Sequence, residues 1–244
     1  MDSRLQIRRR MLVRNFARAA RRAFCSGERR CDRRRKVLLG ALALMWVAGL
    51  ARGDEPLTQA IQRALAGEPP ELGERLFDEK VVVLSGSEAR DQGDATQVRA
   101  LVLFAKPRSR AIQLLLQTAR QIEYRPELQK LEAVERFPNG EVDLQELRMM
   151  LMRVSYWLRT QWDVSAGRIS WTLDPRFPND LRVTDGSWEL EEVDAVHSLG
   201  RFGTRVDIGP AFPAFLEEIA TRRKLPQTLD RCRRWIDSDG SYRP

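Results

Sequence analysis

A run of fourteen apolar residues, Val37–Leu50, follows an arginine-rich stretch and is followed by Ala51, Arg52 and Gly53. A basic stretch, a short apolar core and small residues at the exit form the layout of a secretory signal peptide. At about 1.5 Å per residue the run spans about 21 Å, which is short of the roughly 30 Å hydrocarbon layer of a bilayer. The pattern predicts export to the periplasm or medium, with cleavage before Asp54. An uncleaved membrane anchor formed by residues 37–50 is the alternative.

The leader also explains the basic character of the whole chain, whose formal net charge is +8. Residues 1–53 hold 15 of the 42 Lys and Arg but 3 of the 34 Asp and Glu, which leaves 27 basic and 31 acidic residues in the remainder. A nucleic-acid-binding domain needs a basic face, whereas positive charge beside an apolar run acts as a topology signal. We therefore expect no nucleic-acid partner, and membrane contact only through an uncleaved leader.

The residue types of the mature chain exclude several kinds of chemistry. His197 is the one histidine, and Cys232 is the one cysteine after residue 53. Structural zinc sites use four such ligands, and a nucleophilic triad needs a base placed beside its nucleophile. No glycine-rich nucleotide motif occurs either. The sequence therefore predicts no metal, no cofactor, no internal disulfide and no catalytic triad.

Hydrophobic periodicity divides the chain into a leader (1–53), a lead-in segment (54–96) and a main domain (97–244). The lead-in segment shows a short helical pattern over Pro56–Ala66, a Gly-Glu-Pro-Pro break at 67–70 and a β-branched run at Val81–Leu84. In the main domain a helix beginning at Pro107 follows a strand at 98–105, and the period then changes to two. The predicted strands of this meander are 131–137, 142–152, 154–162, 168–173, 188–193 and 199–208. A C-terminal amphipathic helix follows, which Pro226 is expected to break or kink.

Large aromatic side chains recur on the predicted sheet and on the helix that follows it. Tryptophan and tyrosine combine a large apolar area with one polar group, so such a set either fills a core or forms the wall of an apolar cavity. The cavity-wall candidates are Tyr156, Trp162, Trp171, Trp188, Phe202, Phe212 and Phe215. The candidates for polar groups that orient a ligand are Arg148 and Arg159, although strand alternation also fits an outward-facing Arg159.

Several segments match one family pattern in their order along the chain. They are Val98–Phe104, Pro107–Arg120, the corner Tyr124-Arg125-Pro126 within 122–128, Asp185–Leu190, Thr204–Asp207 and Pro213–Ile219. This order resembles the START-like (helix-grip, SRPBCC) superfamily, and within it the polyketide cyclase and coenzyme Q-binding START branch. The resemblance implies an α+β helix-grip fold, in which a curved antiparallel β-sheet wraps around a long C-terminal helix and encloses a ligand cavity.

Together the residues and the resemblance predict noncatalytic binding or transport of an apolar small molecule outside the cytoplasm. A lipid, a quinone or a sterol-like molecule would lie between the sheet and the C-terminal helix. One alternative is a polyketide cyclase or aromatase that uses Tyr156, Asp143 or Glu146 as an acid or base, and a carboxylate facing the cavity would favour it. The other is a structural or protein-interaction module with a filled core.

Overall fold

The computed structural model describes residues 56–84, 95–149, 152–209 and 223–244. The predicted leader lies outside these ranges, as do Phe212 and Phe215 of the predicted C-terminal helix. Export and membrane anchoring therefore stay predictions. Within the ranges described, no helix has the length and apolar character that crossing a bilayer requires.

The described residues contain eight strands that form one antiparallel sheet. The strands are β1 (Val81–Leu84), β2 (Thr96–Phe104), β3 (Leu128–Phe137), β4 (Gly140–Met149), β5 (Met152–Asp163), β6 (Arg168–Leu173), β7 (Val183–Glu192) and β8 (Ser198–Asp207). Their order in the sheet is β1-β2-β8-β7-β6-β5-β4-β3, so β3 to β8 form a meander and β8 returns to pair with β2. The predicted antiparallel meander is confirmed.

Several strand boundaries differ from the prediction, and two of the differences concern the segments around Met149 and Trp188. The segment predicted as one strand over 142–152 ends at Met149, and Met152 begins the next strand, which pairs with Met149 across the hairpin. The strand predicted from Trp188 already begins at Val183. Asp185 and Gly186 are residue types that favour turns, but both pair with β8, where they face Arg205 and Thr204.

The helices described are α1 (Leu57–Ala64), α2 (Pro70–Glu79), α3 (Arg108–Leu115), a 3₁₀ helix (Thr118–Glu123) and α4 (Leu225–Asp237). Helix α2 was not predicted, because the Gly-Glu-Pro-Pro sequence indicates only a break. Pro70 occupies the start of α2, where a helix does not need the missing N–H. Pro226 lies in the first turn of α4 for the same reason.

The predicted lead-in segment packs into the same folded unit as the main domain. Strand β1 extends the sheet at its β2 edge, with Val82 opposite Leu101. Helices α1 and α2 cover the outer face of that edge, where Ile61 and Leu76 form a buried cluster with Leu103. The outer face of β1, β2 and β8 is therefore closed by helices, and the inner face remains for α4.

Helix α4 packs against the inner face of the sheet through its apolar side. Leu229, Cys232, Trp235 and Ile236 are all buried and join the core cluster that contains Phe104 of β2. The sheet curves around this helix, and two register shifts between β3 and β4 contribute local twist. The curved sheet with its terminal helix fits the predicted helix-grip architecture.

Candidate ligand-binding cavity

A cavity of about 270 Å³, partly open to solvent, lies between the inner face of the sheet and α4. This volume is just below the range of about 300–1,000 Å³ found for small-molecule pockets. The apolar part of the wall includes Leu115, Leu147, Val154, Leu158, Ile169, Leu181, Val206, Ile208 and Leu229. These side chains therefore line the space without filling it, and a small apolar molecule can lie beside them.

Four of the predicted aromatic candidates lie on the cavity wall. They are Tyr156, Trp171, Trp188 and Phe202. The register of β7 and β8 places Trp188 directly opposite Phe202. Their ring centroids are 4.9 Å apart in an edge-to-face arrangement. The centroid of the Trp171 ring is 5.7 Å from that of the Phe202 ring. Trp162 packs against the same core cluster but is not a wall residue.

A glycine creates the space that Trp171 occupies. An added Cβ at Gly186 would lie 2.5 Å from the Trp171 ring and 2.3 Å from the carbonyl oxygen of Gly203, which is closer than side-chain contacts allow. The residue is therefore small because an indole ring crosses over it. A Cβ added at Gly203, on the opposite face of the sheet, would meet no other atom within 4 Å.

The predicted polar groups Arg148 and Arg159 are on the outer face, so their placement in the cavity was wrong. Alternation along β4 turns Leu147 inward and leaves Arg148 exposed. Arg159 alternates with inward-facing Leu158 on β5, and its guanidinium is 3.1 Å from a carboxylate oxygen of Asp174. Glu146, an acid–base candidate of the enzyme alternative, also faces outward.

A hydrogen-bonded polar cluster lies inside the cavity instead. Gln145 Nε2 donates to Asp143 Oδ1 over 2.9 Å, and the Tyr156 hydroxyl donates to Gln145 Oε1 over 3.1 Å. Asp143 is 1% exposed, Gln145 3% and Tyr156 5%, and all three line the cavity. Arg125, also on the wall, donates from Nη1 to Gln121 Oε1 over 2.7 Å. One side of an otherwise apolar chamber can therefore make specific hydrogen bonds.

Burial dominates the ionisation of this cluster. It raises the pKa of Asp143 to about 6, although the hydrogen bond from Gln145 acts in the opposite direction and the charge of Glu141 adds to the rise. Burial also raises the pKa of Tyr156, against the nearby positive charge of Arg125. Asp143 is therefore a carboxyl group that changes its charge near pH 6 inside an apolar space.

The similarity of this chain to known proteins lies in its structure. No protein-family model and no curated protein sequence matches it. Among solved structures, a protein from Thermus thermophilus, TTHA0849, is 17% identical with a TM-score of 0.52, and the match covers 60% of this chain and 100% of that one. A STAR-related lipid transfer protein from Xanthomonas axonopodis is 13% identical with a TM-score of 0.52, over 64% and 98%. Human STARD10 is 12% identical with a TM-score of 0.50, over 68% and 80%.

The chain has the START-like helix-grip fold. Identities this low establish the fold alone, so the position of the chain within the superfamily stays a prediction. In this START-like fold, the cavity between sheet and terminal helix is where the resemblance implied a ligand site.

The side of the START-like cavity formed by α4 contains a buried thiol. Cys232 lines the cavity, and burial raises its pKa to about 12. Tyr124 lies beside it, with its ring centroid 5.3 Å from that of Trp235. Trp235 Nε1 in turn donates to Glu123 Oε2 over 2.9 Å. These contacts hold α4 against the segment that carries Arg125. The polar cluster and the apolar wall therefore keep fixed positions relative to each other.

The described ranges contain no group of three or more His, Cys, Asp or Glu side chains arranged to hold a metal ion.

Sequence reasoning had named Asp143 only for the enzyme alternative and had missed Gln145 and Arg125. The β4–β5 register brings Gln145 to the cavity, because it lies directly opposite Tyr156 in that pair. The predicted strand 142–152 continued past the hairpin at Met149 and Met152 and so did not give this register.

Proposed function

We propose that this protein binds an apolar small molecule in the START-like cavity without changing it chemically. The observation that carries the proposal is the partly open cavity, which retains about 270 Å³ although Trp171, Trp188 and Phe202 converge on it. A protein whose core served only stability would fill such a space, because each empty volume loses packing energy. The similarity to a STAR-related lipid transfer protein supports the same class of ligand.

Apolar burial supplies enough free energy for useful affinity. A ligand that buries about 300 Å² of apolar surface gains about 7.5 kcal/mol at about 25 cal/mol per Å². Before ordering costs this corresponds to a Kd in the micromolar range. A lipid fragment, a quinone or a sterol-like molecule offers such a surface. The signal-like leader, Val37–Leu50 with its basic flank, supports a location outside the cytoplasm. The domain would be either free or anchored to the membrane there.

A titration with the neutral fluorophore N-phenyl-1-naphthylamine tests the proposal. The fluorophore brightens when it enters an apolar site, and Trp171 and Trp188 on the wall offer a second signal through quenching or energy transfer. The variant Val154→Trp adds bulk on the cavity wall. The control Thr172→Trp adds the same bulk on the exposed outer face of β6.

We expect saturable binding to the wild type and to Thr172→Trp, with at least tenfold weaker binding to Val154→Trp. Equal binding to both variants would place the fluorophore elsewhere on the protein. No saturable binding to the wild type would contradict the carrier function and favour an interaction module.

A second candidate function is acid–base catalysis, which one observation favours: Asp143 faces the cavity and has a pKa of about 6. A general base works best when its pKa is near the operating pH. The test is hydrogen–deuterium exchange at the α-carbons of 2-tetralone, a bound ketone probe, in D₂O. An enzyme of the cyclase type would accelerate this exchange and lose the acceleration in Asp143→Asn, whereas a carrier would leave the exchange rate at its background value.

A further inference from the structure

The geometry points to a ligand hydroxyl as the partner of Asp143, so that the molecule held in this cavity is a neutral apolar alcohol. This inference rests on the proposed binding function and adds the chemical class of the ligand. It depends on which hydrogen-bonding positions of the polar cluster are already occupied and which are open.

Asp143 has an acceptor that the protein does not use. Its Oδ1 accepts a hydrogen bond from Gln145, and among the hydrogen bonds of the described residues none reaches Oδ2. The side chain is 1% exposed, yet it lines the cavity, so the open space beside it is the cavity itself. Because the cavity is partly open to solvent, either water or a ligand group can occupy this acceptor position. A donor group on the ligand would supply the missing bond.

The neighbouring amide and guanidinium offer further donors, whereas Asp143 Oδ2 is an open acceptor. Gln145 Oε1 already accepts from the Tyr156 hydroxyl, and one N–H of the same amide is engaged by Asp143. The Arg125 guanidinium donates to Gln121 through one of its five N–H groups, so it can also donate to a ligand oxygen. A ligand that only accepts hydrogen bonds, such as a ketone or an ether, would leave Asp143 Oδ2 unpaired. A ligand hydroxyl group can donate to Asp143 Oδ2 and can also accept from the neighbouring donors.

The local charge opposes a carboxylate ligand. Two buried acids, Asp143 and Glu141, which is 4% exposed, lie at this end of β4, and Arg125 is the cation whose charge acts on the cluster. The partner of Glu141 at 3.6 Å is Arg136, whose side chain is 76% exposed and therefore well hydrated. A fatty-acid anion would add a third negative charge to this poorly solvated corner.

The test compares ligands that share one carbon skeleton. Decan-2-ol and decan-2-one differ in whether their oxygen can donate a hydrogen bond, and decanoate carries a full charge. Each competes against N-phenyl-1-naphthylamine on the full-length chain at pH 8. Because a hydrogen bond to a charged acceptor is among the stronger ones, we expect decan-2-ol to bind about tenfold or more tightly than decan-2-one. We expect decanoate to bind most weakly.

The variant Asp143→Asn reverses the preference in this account. Its amide oxygen keeps the bond from Gln145, so the amide N–H₂ takes the position of Oδ2 and offers a donor where the acceptor was. We expect decan-2-one to bind this variant at least as tightly as decan-2-ol. The control Thr172→Val removes a hydroxyl from the exposed outer face of β6 and should keep the wild-type order.

The outcomes separate the two proposals. Equal binding of alcohol and ketone to the wild type, tightest binding of decanoate, or an unchanged order in Asp143→Asn would overturn the hydroxyl subsite while leaving the binding function intact. If none of the compounds and no fluorophore bind, the proposed function itself fails.

Discussion

Asp143 makes the stability of this protein depend on pH in a direction opposite to that of most carboxylates. Burial raises its pKa from 3.8 to about 6 in the folded state. The folded protein therefore holds this proton more tightly than the unfolded chain does. The stabilisation is fully present below about pH 4 and is lost as the pH rises through about 6.

The size of the effect follows from the pKa change. A rise of about two pKa units at about 1.36 kcal/mol each gives a cost of about 3 kcal/mol above pH 6. Asp143→Asn removes the titrating group, keeps the shape of the side chain and keeps an acceptor for Gln145. We expect the variant to match the wild type near pH 4 and to exceed its free energy of unfolding by up to about 3 kcal/mol at pH 8.

Urea unfolding at a series of pH values between 4 and 8 measures this difference. At a slope of about 2–3 kcal/mol per M, the midpoint of the variant should be about 1 M higher than that of the wild type at pH 8. The control Asp78→Asn changes an exposed aspartate of α2 and should follow the wild type throughout. If Asp143→Asn shows the same pH profile as the wild type, or is less stable at pH 8, the buried ionisation described here is wrong.

Three further predictions concern other parts of the fold. Asp174, which bonds both Arg159 and Arg176 on the outer face, has its pKa lowered to about 2 by the Arg176 hydrogen bond, so its stabilisation disappears as the pH falls from about 4 to 2. In urea at pH 7, Asp174→Asn should lose about 1–2 kcal/mol, and an unchanged midpoint would refute the pairing. With Cys25 and Cys31 replaced by serine, Cys232 should resist a disulfide reagent at pH 8, because a pKa near 12 leaves roughly one thiolate in 10⁴; rapid reaction in the native state would contradict its burial. Gly186→Ala should displace Trp171 and shift the near-ultraviolet circular dichroism, whereas an equal shift in Gly203→Ala would show that the contact is not specific.

The meander was predictable because most of its strands follow simple rules. β5 alternates regularly, so Val154, Tyr156 and Leu158 could be assigned to one face, and all three are buried. The same alternation explains why Arg159 lies on the outside. The order of elements then indicated the START-like fold, and the similarity to solved structures supports that fold.

The polar end of the cavity was harder to predict because β4 breaks the usual rule. Its apolar residues Val142 and Leu144 suggest an inward face that leaves Asp143 and Gln145 in solvent. The structure has the opposite phase, with Asp143 and Gln145 turned towards the cavity. Val142 is buried on the other face, where it pairs with Arg159 across β4 and β5. Local rules are most often broken at functional sites, so this inverted strand is itself an argument for function.

Helix α2 could not be read from the sequence for a different reason. Two adjacent prolines indicate a break, and only the packing of Leu72 and Leu76 against the outer face of the sheet shows that a helix begins at the second proline. Tertiary burial, rather than propensity, decides this segment.

The most direct test of the account is a methyl NMR titration of the isoleucine-labelled protein with decan-2-ol. Ile169 and Ile208 line the cavity, whereas Ile61 lies on the buried side of α1, in the separate outer cluster. The account predicts saturable shifts of the Ile169 and Ile208 methyl signals with no change at Ile61. Unchanged cavity methyls, or shifts that appear only at Ile122, which is 45% exposed on the surface, would contradict it.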